Sequence, residues 1–145
     1  METLVSSALG FSTNKTQHEK VMNWFVSGLI TEPNGRAIQG TTVNTKLRHT
    51  MIRKLFASPH ISQEKKKECF AKLAQIDSTD MLGRTQKFCE SASPDPAGKR
   101  EAFTVIFENK DIGLQHLQEM CRGWRQSTQK DLIETFADEF YEKIE

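Results

Sequence analysis

The sequence predicts an all-α fold in which antiparallel helix pairs stack as an α-solenoid. Apolar residues recur at three- and four-residue steps in successive segments of the 145-residue chain, which is typical of helices with one buried face. No segment shows sustained alternation of apolar and polar residues, so no strand is predicted. Short helices joined by short turns favour a stack of helix pairs over a closed four-helix bundle.

The first part of the chain contains an incomplete first helix, contributed by residues 1–15, and then two complete helices. The first complete helix is predicted from about Thr16 to Ile30. A loop rich in Gly and Thr follows from Glu32 to Thr42. Asn44 or Thr45 is expected to cap the next helix. Apolar residues in that helix fall at strict four-residue steps, at Val43, Leu47, Met51 and Leu55.

Capping residues mark the helix boundaries in the middle of the chain. Pro59 is expected to stop the preceding helix, and Ser62 to begin the next one. Ser78–Asp80 offers side-chain oxygens to the free N–H groups of a fourth helix. Asp95 is the predicted cap of a fifth helix, and Pro96 is tolerated in its first turn.

The C-terminal part is predicted to contain the end of the fifth helix near Glu108, a short sixth helix and a continuous last helix. The last helix is expected to begin after Ser127 or Thr128 as its cap. Its predicted apolar side consists of Leu132, Ile133, Phe136, Phe140, Tyr141 and Ile144.

Length and composition favour one domain, residues 1–145, that is soluble and binds no nucleic acid. Apolar residues make up 37% of the chain, and no apolar run approaches the ~20 residues that span a bilayer. Twenty basic and nineteen acidic side chains leave a net charge of +1. This balance argues against the basic surface that phosphate binding requires, so a nucleic-acid-binding helical repeat is the weakest hypothesis.

Cysteine usage favours a reducing compartment. Cys69, Cys89 and Cys121 are odd in number and widely spaced, and each falls on an apolar helical face. Reduced, buried thiols therefore fit better than a disulfide framework, and a cytoplasmic location is expected. Asn14 begins an Asn-Lys-Thr glycosylation pattern, which is too short a motif to outweigh this expectation.

Metal-binding chemistry is suggested at one place only, the segment His18-Glu-Lys-Val-Met22. A zinc hydrolase motif needs a second histidine four residues after the first, so that both rings meet on one helix face. Met22 stands at that position, and His18 is therefore predicted to face solvent. His49, His60 and His116 have no partner at metal-ligand spacing and are expected to be ordinary histidines.

The remaining candidates for chemistry also have a structural interpretation. Asp77 and Asp80 could form a carboxylate pair for acid–base work or cation binding, but helix capping is the commoner use of this spacing. Lys65–Lys67 could form a binding patch, yet flanking acids favour a solvated face. Cys69 lies among apolar neighbours and is predicted to be an inert thiol. The sequence therefore identifies no catalytic residue and no metal ligand, and it leaves substrate-binding residues unknown.

Five short segments between Arg36 and Glu145 form an ordered series. They are Gly40–Arg48, Asp77–Asp80 with Gly83, Pro94 and Pro96 with Lys99 and Ala102-Phe103, Gly123-Trp124, and the aromatic ending Phe136–Tyr141. In this order they resemble the C-terminal helical domain of zinc aminopeptidases of the aminopeptidase N type, including the puromycin-sensitive and endoplasmic-reticulum enzymes. Four positions depart from the pattern of that family. Asn44 replaces Asp, His49 replaces Trp, Phe103 replaces Trp, and Trp124 replaces Phe.

The resemblance implies a HEAT- or armadillo-like superhelix that closes over the catalytic domain of a larger enzyme and limits substrate entry. No complete HExxH motif, downstream glutamate ligand or GxMEN-type segment is present in the chain. The resemblance thus implies an inactive C-terminal fragment without a cofactor of its own. Zinc would belong to the parent enzyme, and the partners would be its catalytic domain and its peptide substrates. The alternative is a free-standing helical-repeat scaffold that binds a protein partner.

Overall fold

The computed structural model describes residues 2–10 and 12–144. Within these residues it contains nine α-helices, one 3-10 helix at Ser127–Gln129 and two short strands. The helices are α1 (Glu2–Gly10), α2 (Lys15–Ser27), α3 (Thr45–Ala57), α4 (Gln63–Ile76), α5 (Asp80–Ser91), α6 (Pro96–Glu108), α7 (Leu114–Trp124), α8 (Lys130–Glu134) and α9 (Ala137–Ile144). The strands are β1 (Leu29–Thr31) and β2 (Ala37–Thr42). The all-α prediction is confirmed at the level of fold class.

The chain divides into two compact units, Met1–Leu82 and Gly83–Glu145. Each unit has its own set of buried apolar side chains. The prediction that residues 1–145 act as a single domain stays a prediction, and so does the stacking of helix pairs as a solenoid. Among the described helices, none is both long enough and apolar enough to cross a membrane.

The two strands form an antiparallel hairpin where the sequence predicted the end of a helix, to Ile30, and then a loop. The N–H group of Gly35 donates to the carbonyl of Glu32 at 3.0 Å, and Gly35 adopts a φ of 86°. Pro33 and Asn34 occupy the centre of this turn, which suits their conformational preferences. The prediction that the chain has no strand is wrong here, because the turn chemistry was interpreted only as a helix end.

Side-chain caps begin four of the helices. Asn14, Asn44, Ser62 and Asp95 each accept a hydrogen bond from the backbone N–H three residues later. The predicted caps Asn44, Ser62 and Asp95 are therefore confirmed. Asn14, the residue of the glycosylation pattern, forms a reciprocal capping box with Gln17 at the start of α2.

The core of the first unit is organised around α3, against which α1, α2 and α4 all pack. The four predicted positions on α3 and its N-terminal flank are buried, which confirms the four-residue pattern. Phe25 of α2 and Leu73 of α4 are completely buried in the same unit. The largest fully buried apolar side chains here are Phe25, Met51, Ile52, Leu55 and Leu73.

An aromatic cluster forms the core of the second unit. The ring centroid of Phe103 lies 4.7 Å from that of Phe107, 5.2 Å from that of Phe136 and 5.8 Å from that of Trp124. The predicted continuous last helix is wrong, because the chain forms a 3-10 turn, α8 and α9 in succession. Phe136 lies at the break between α8 and α9, and its ring is buried in the aromatic core.

Candidate functional site

His18 is buried, with 4% of its surface exposed, so the prediction that it faces solvent is wrong. Its Nε2 lies 3.1 Å from the carbonyl oxygen of Ser12, and its Nδ1 lies 2.6 Å from the hydroxyl of Ser58. This pattern assigns the proton to Nε2, which donates to the carbonyl, while the hydroxyl donates to Nδ1. Burial lowers the pKa of His18 below its ordinary value. The ring is thus held in its neutral form.

Lys66 extends the same polar cluster and is also buried, with 1% exposure. Its ammonium group donates to the carbonyl oxygens of Ser58 at 2.7 Å and Phe56 at 3.0 Å. These carbonyls lie at the C-terminal end of α3, where helical partners are missing and a cation is favourable. The predicted solvated face of Lys65–Lys67 is therefore correct for Lys65 and Lys67 and wrong for Lys66.

Ser58 and His18 have the spacing of a nucleophile and a general base, a pairing that the sequence analysis missed because 40 residues separate them. A nucleophile must be reached by its substrate, however, and Ser58 is only 1% exposed. Its oxygen also accepts the N–H of His60 at 3.0 Å. The geometry indicates a structural hydrogen-bond cluster that joins the N-terminal segment to the end of α3.

His49 and Asp77 form a second buried pair, with Nε2 and Oδ2 2.7 Å apart. The carboxylate of Asp77 also accepts the backbone N–H of Thr79 at 2.9 Å and its hydroxyl at 3.1 Å. The Thr79 N–H is the largest cause that lowers the pKa of Asp77. The carboxylate of Asp77 therefore accepts within the turn before α5, and the predicted capping of the N–H groups of α5 by this segment stays a prediction. His49, at a position where the resembling family has Trp, ties that turn to α3.

Lys99 is the centre of the third polar cluster and is completely buried. Its ammonium group donates to the carbonyl oxygens of Ser91 and Trp124, each at 2.8 Å, and lies 3.5 Å from that of Gly123. It thereby caps the C-terminal ends of α5 and α7 together. Burial lowers the pKa of Lys99 to about 8.

Gly123 allows α7 to approach α5 closely. A Cβ atom at this position would overlap the carbonyl oxygen of Phe88 and the hydroxyl of Ser91. In the structure that hydroxyl donates to the carbonyl of Met120 at 2.8 Å. Two segments of the family resemblance, the one with Lys99 and the Gly-Trp pair, therefore meet in a single cluster.

Arg48, from another of those segments, also serves a helix end. Its guanidinium donates to the carbonyl of Phe25 and lies over the Phe25 ring at 5.3 Å from the centroid. Because Phe25 is in the last turn of α2, Arg48 supplies a partner that the helix itself lacks.

The three thiols have different surroundings. Cys69 and Cys89 are buried as predicted, while Cys121 is exposed, so the prediction of three buried thiols is wrong for Cys121. Burial raises the pKa of Cys69, which favours the less reactive thiol form. In the part of the chain that the structure describes, no group of three His, Cys, Asp or Glu side chains is placed to hold a metal ion.

A groove of about 400 Å³ lies between α2 and α4 of the first unit, and we call it the α2–α4 groove. Met22, Trp24 and Val26 contribute to the wall on the α2 side. Lys65 and Lys72 contribute to the wall on the α4 side. The indole N–H of Trp24 donates to the hydroxyl of Thr31 at 3.0 Å, which fixes the ring beside the groove. No pattern in the sequence indicated a binding surface here.

The comparisons with known proteins do not assign the chain to a family. No protein-family model matches the chain, and no curated protein sequence matches it. The expectation of an aminopeptidase domain therefore depends on the residues that carry the resemblance.

Proposed function

We propose that this chain is a non-catalytic helical domain of a zinc aminopeptidase, which packs against the catalytic domain and shapes the access of peptide substrates. The observation that carries the proposal is the role of the resembling residues. Lys99, Gly123 and Arg48 contribute to the ends or close packing of helices. Residues with such roles are the ones that a shared helical architecture would retain.

The polar clusters provide a second line of support, because their side chains are committed to the fold. His18 uses both ring nitrogens in hydrogen bonds within the chain, so it has no free nitrogen for zinc. Ser58 and Lys99 are buried. Among residues 2–10 and 12–144 no side-chain group is placed to hold zinc. In this proposal the metal and the hydrolytic step belong to the catalytic domain.

A recurring pattern supports the solenoid part of the proposal. Ser58, the cap Ser62 and Lys66 stand around the α3–α4 connection, and Ser91, the cap Asp95 and Lys99 stand 33 residues later around the α5–α6 connection. In both cases the lysine donates to the carbonyl of the serine eight residues before it. Repeated helix pairs with the same local bonds are the unit from which solenoids are built.

The coding sequence upstream of the Met1 codon tests the proposal directly. We expect the reading frame to continue upstream and to encode an HExxH motif with a later glutamate ligand. In the longer protein, removal of residues 1–145 should change turnover of long peptides more than turnover of a single-residue chromogenic substrate. The isolated chain with zinc should hydrolyse neither substrate. Robust hydrolysis by the isolated chain, or a reading frame without the motif, would overturn the proposal.

The α2–α4 groove favours a second candidate, a free-standing scaffold that binds a protein partner. The groove combines an apolar wall with basic side chains, which is a common composition for a surface that holds a peptide or helix. An upstream HExxH motif in the same reading frame would exclude this candidate.

A further inference from the structure

The α2–α4 groove is apolar on one side and basic on the other. Val26, on the apolar side, is 52% exposed although it belongs to the helix that carries the core residue Phe25. Lys65 and Lys72 lie seven residues apart on α4, which places both near the groove two helical turns apart. Glu68 is the one acidic residue that lines the groove.

The two lysines are available for an external partner. The ion pairs found among the described residues include neither Lys65 nor Lys72. Because α2 and α4 both pack on α3 and meet each other at few positions, the space between them stays open. The groove therefore suits an amphipathic segment that has an apolar face and carboxylates beside it.

Helix α9 has these properties. Its residue Phe140 faces the core of the second unit, where the ring lies 5.7 Å from that of Phe107. Tyr141 and Ile144 are 61% and 57% exposed, although the Tyr141 ring lies 5.7 Å from that of Phe140. An exposed apolar surface of this kind on a short amphipathic helix indicates a contact surface.

Of the four charged side chains of α9, two form ion pairs with other helices and two do not. Glu139 bonds to Arg100, and Lys143 bonds to Glu108 at 2.9 Å, so these two stabilise the second unit itself. Asp138 and Glu142 are exposed and take part in none of the ion pairs found among the described residues. The exposed surface of α9 is thus apolar and acidic, which complements the apolar and basic groove.

We propose that the α2–α4 groove binds α9 of a second copy of this chain. Tyr141 and Ile144 would pack against Met22 and Val26, and the carboxylates of α9 would approach the two lysines. The groove and α9 are different surfaces, so the contact is head-to-tail, and a dimer keeps a free groove on one copy and a free α9 on the other. Association of this kind continues beyond the dimer as concentration rises.

Sedimentation velocity of the full chain, from low micromolar to several hundred micromolar, measures the association. Lys72→Glu and Glu142→Lys should each weaken it by at least ~tenfold, because each places two like charges at the contact. The double variant, which carries both substitutions in one chain, should recover association because the charges are opposite again. Lys67→Glu is the matched control, since Lys67 is an exposed lysine of the same helix that does not line the groove.

The apolar part of the contact has its own variant, Tyr141→Ser. This substitution should also weaken association, and the loss should persist at high salt because it removes apolar contact area and not charge. Circular dichroism melting of each variant verifies that the fold is retained. A wild-type chain that stays monomeric at the highest concentration overturns the proposal. A double variant that does not recover association, or a Lys67→Glu loss equal to that of Lys72→Glu, also overturns it.

Discussion

Lys66 and Lys99 show how a single buried cation can complete the end of a helix. Both side chains are almost fully buried, and both donate to carbonyl oxygens that have no partner within their own helix. His18 forms comparable bonds in its neutral form. Its Nδ1 accepts from the hydroxyl of Ser58, and its Nε2–H donates to the carbonyl oxygen of Ser12. These residues hold chain segments together that are far apart in sequence, and the protonation states of His18 and Lys99 make stability depend on pH.

Replacing Lys99 with Met tests the bonds to the two helix ends. At neutral pH we expect a loss of about 2–3 kcal/mol, since buried carbonyl oxygens would lose their charged donor. The folded pKa of about 8 is below the ordinary 10.5. The unfolded chain therefore binds more protons between these values, and stability rises with pH across this window.

Lys99→Met has no titrating group at this position, so its free energy of unfolding does not rise in this way. The difference from wild type should therefore grow by up to about 3 kcal/mol between neutral pH and pH about 10.5. Urea unfolding at several pH values measures both effects. Lys110→Met replaces an exposed lysine and serves as the control. A deficit that stays constant across the window would contradict a lowered pKa for Lys99.

Replacing His18 with Gln tests the neutral histidine. Because the pKa of His18 is lowered from 6.5 in the folded state, the unfolded chain binds more protons as the pH falls below that value. The contribution of His18 to stability is thus complete above pH about 6.5 and is lost as the pH falls through the folded pKa. His18→Gln should cost about 1–3 kcal/mol at pH about 7.5 and should flatten the decline of stability in acid.

Ser58→Ala and the double variant complete a thermodynamic cycle with His18→Gln. Because the two side chains share a hydrogen bond, the double variant should lose less free energy of unfolding than the two single variants lose in sum. Chemical unfolding at one pH measures all four proteins. If the losses of the two single variants add up to that of the double variant, the two residues stabilise the fold independently.

At the scale of secondary structure, local signals and tertiary packing determine different boundaries. The capped helices begin where polar side chains accept from their own backbone, at Asn44, Ser62 and Asp95. The hairpin contains the Pro-Asn-Gly turn, and Phe136, at the break after α8, packs in the aromatic core. The residues of the turn indicate a turn by themselves, whereas nothing in the local sequence indicated the helix break, which lies beside contacts with residues distant in the chain.

Replacing Gly35 with Ala tests the hairpin turn. Gly35 adopts a φ of 86°, which an alanine side chain disfavours, so we expect a loss of about 1 kcal/mol. Gly10→Ala is the control, because Gly10 ends α1 without a positive φ and a Cβ there would contact nothing within 4 Å. Thermal unfolding followed by circular dichroism compares the two variants. Equal effects would argue against the turn as described.

At the scale of the whole molecule, each of the two units has its own core. A substitution that destabilises one core should therefore reduce stability mainly in that unit. The first unit packs around α3, and the second around Phe103 and its aromatic neighbours. The lysine-to-serine bonds that recur in both units give them a common local design at the helix connections. Local opening is therefore expected to differ between the units.

Replacing Gly123 with Ala should damage the second unit selectively. The added methyl group would overlap the backbone of α5, which we expect to cost about 3 kcal/mol or more. Hydrogen exchange should speed up in α5 to α7, while protection in α2 to α4 stays close to that of wild type. Gly83→Ala is the matched control, because its Cβ would meet only the His116 side chain, at an ordinary contact distance of 3.5 Å. Faster exchange throughout both units would instead indicate one cooperative domain.

The sequence predicted most helices correctly, but it located few of the polar clusters. Periodicity identified α2 to α7 and the buried positions of α3, because a helix face is a property of neighbouring residues. It placed His18 and Lys66 in solvent, since burial of a polar group depends on partners that come from other elements. Ser58 was not considered at all, as nothing in the residues around it indicates a histidine 40 positions away.

What the sequence by itself determined is the helical class, the caps Asn44, Ser62 and Asp95, and the apolar faces of the central helices. These features depend on hydrogen bonds and spacings within one turn or one helix. Only the tertiary structure decided that His18, Lys66 and Lys99 are buried donors, that Cys121 is exposed, and that the last helix is broken. The physical reason is that burial, and the carbonyl partners that make it tolerable for a polar group, are supplied by residues distant in the chain.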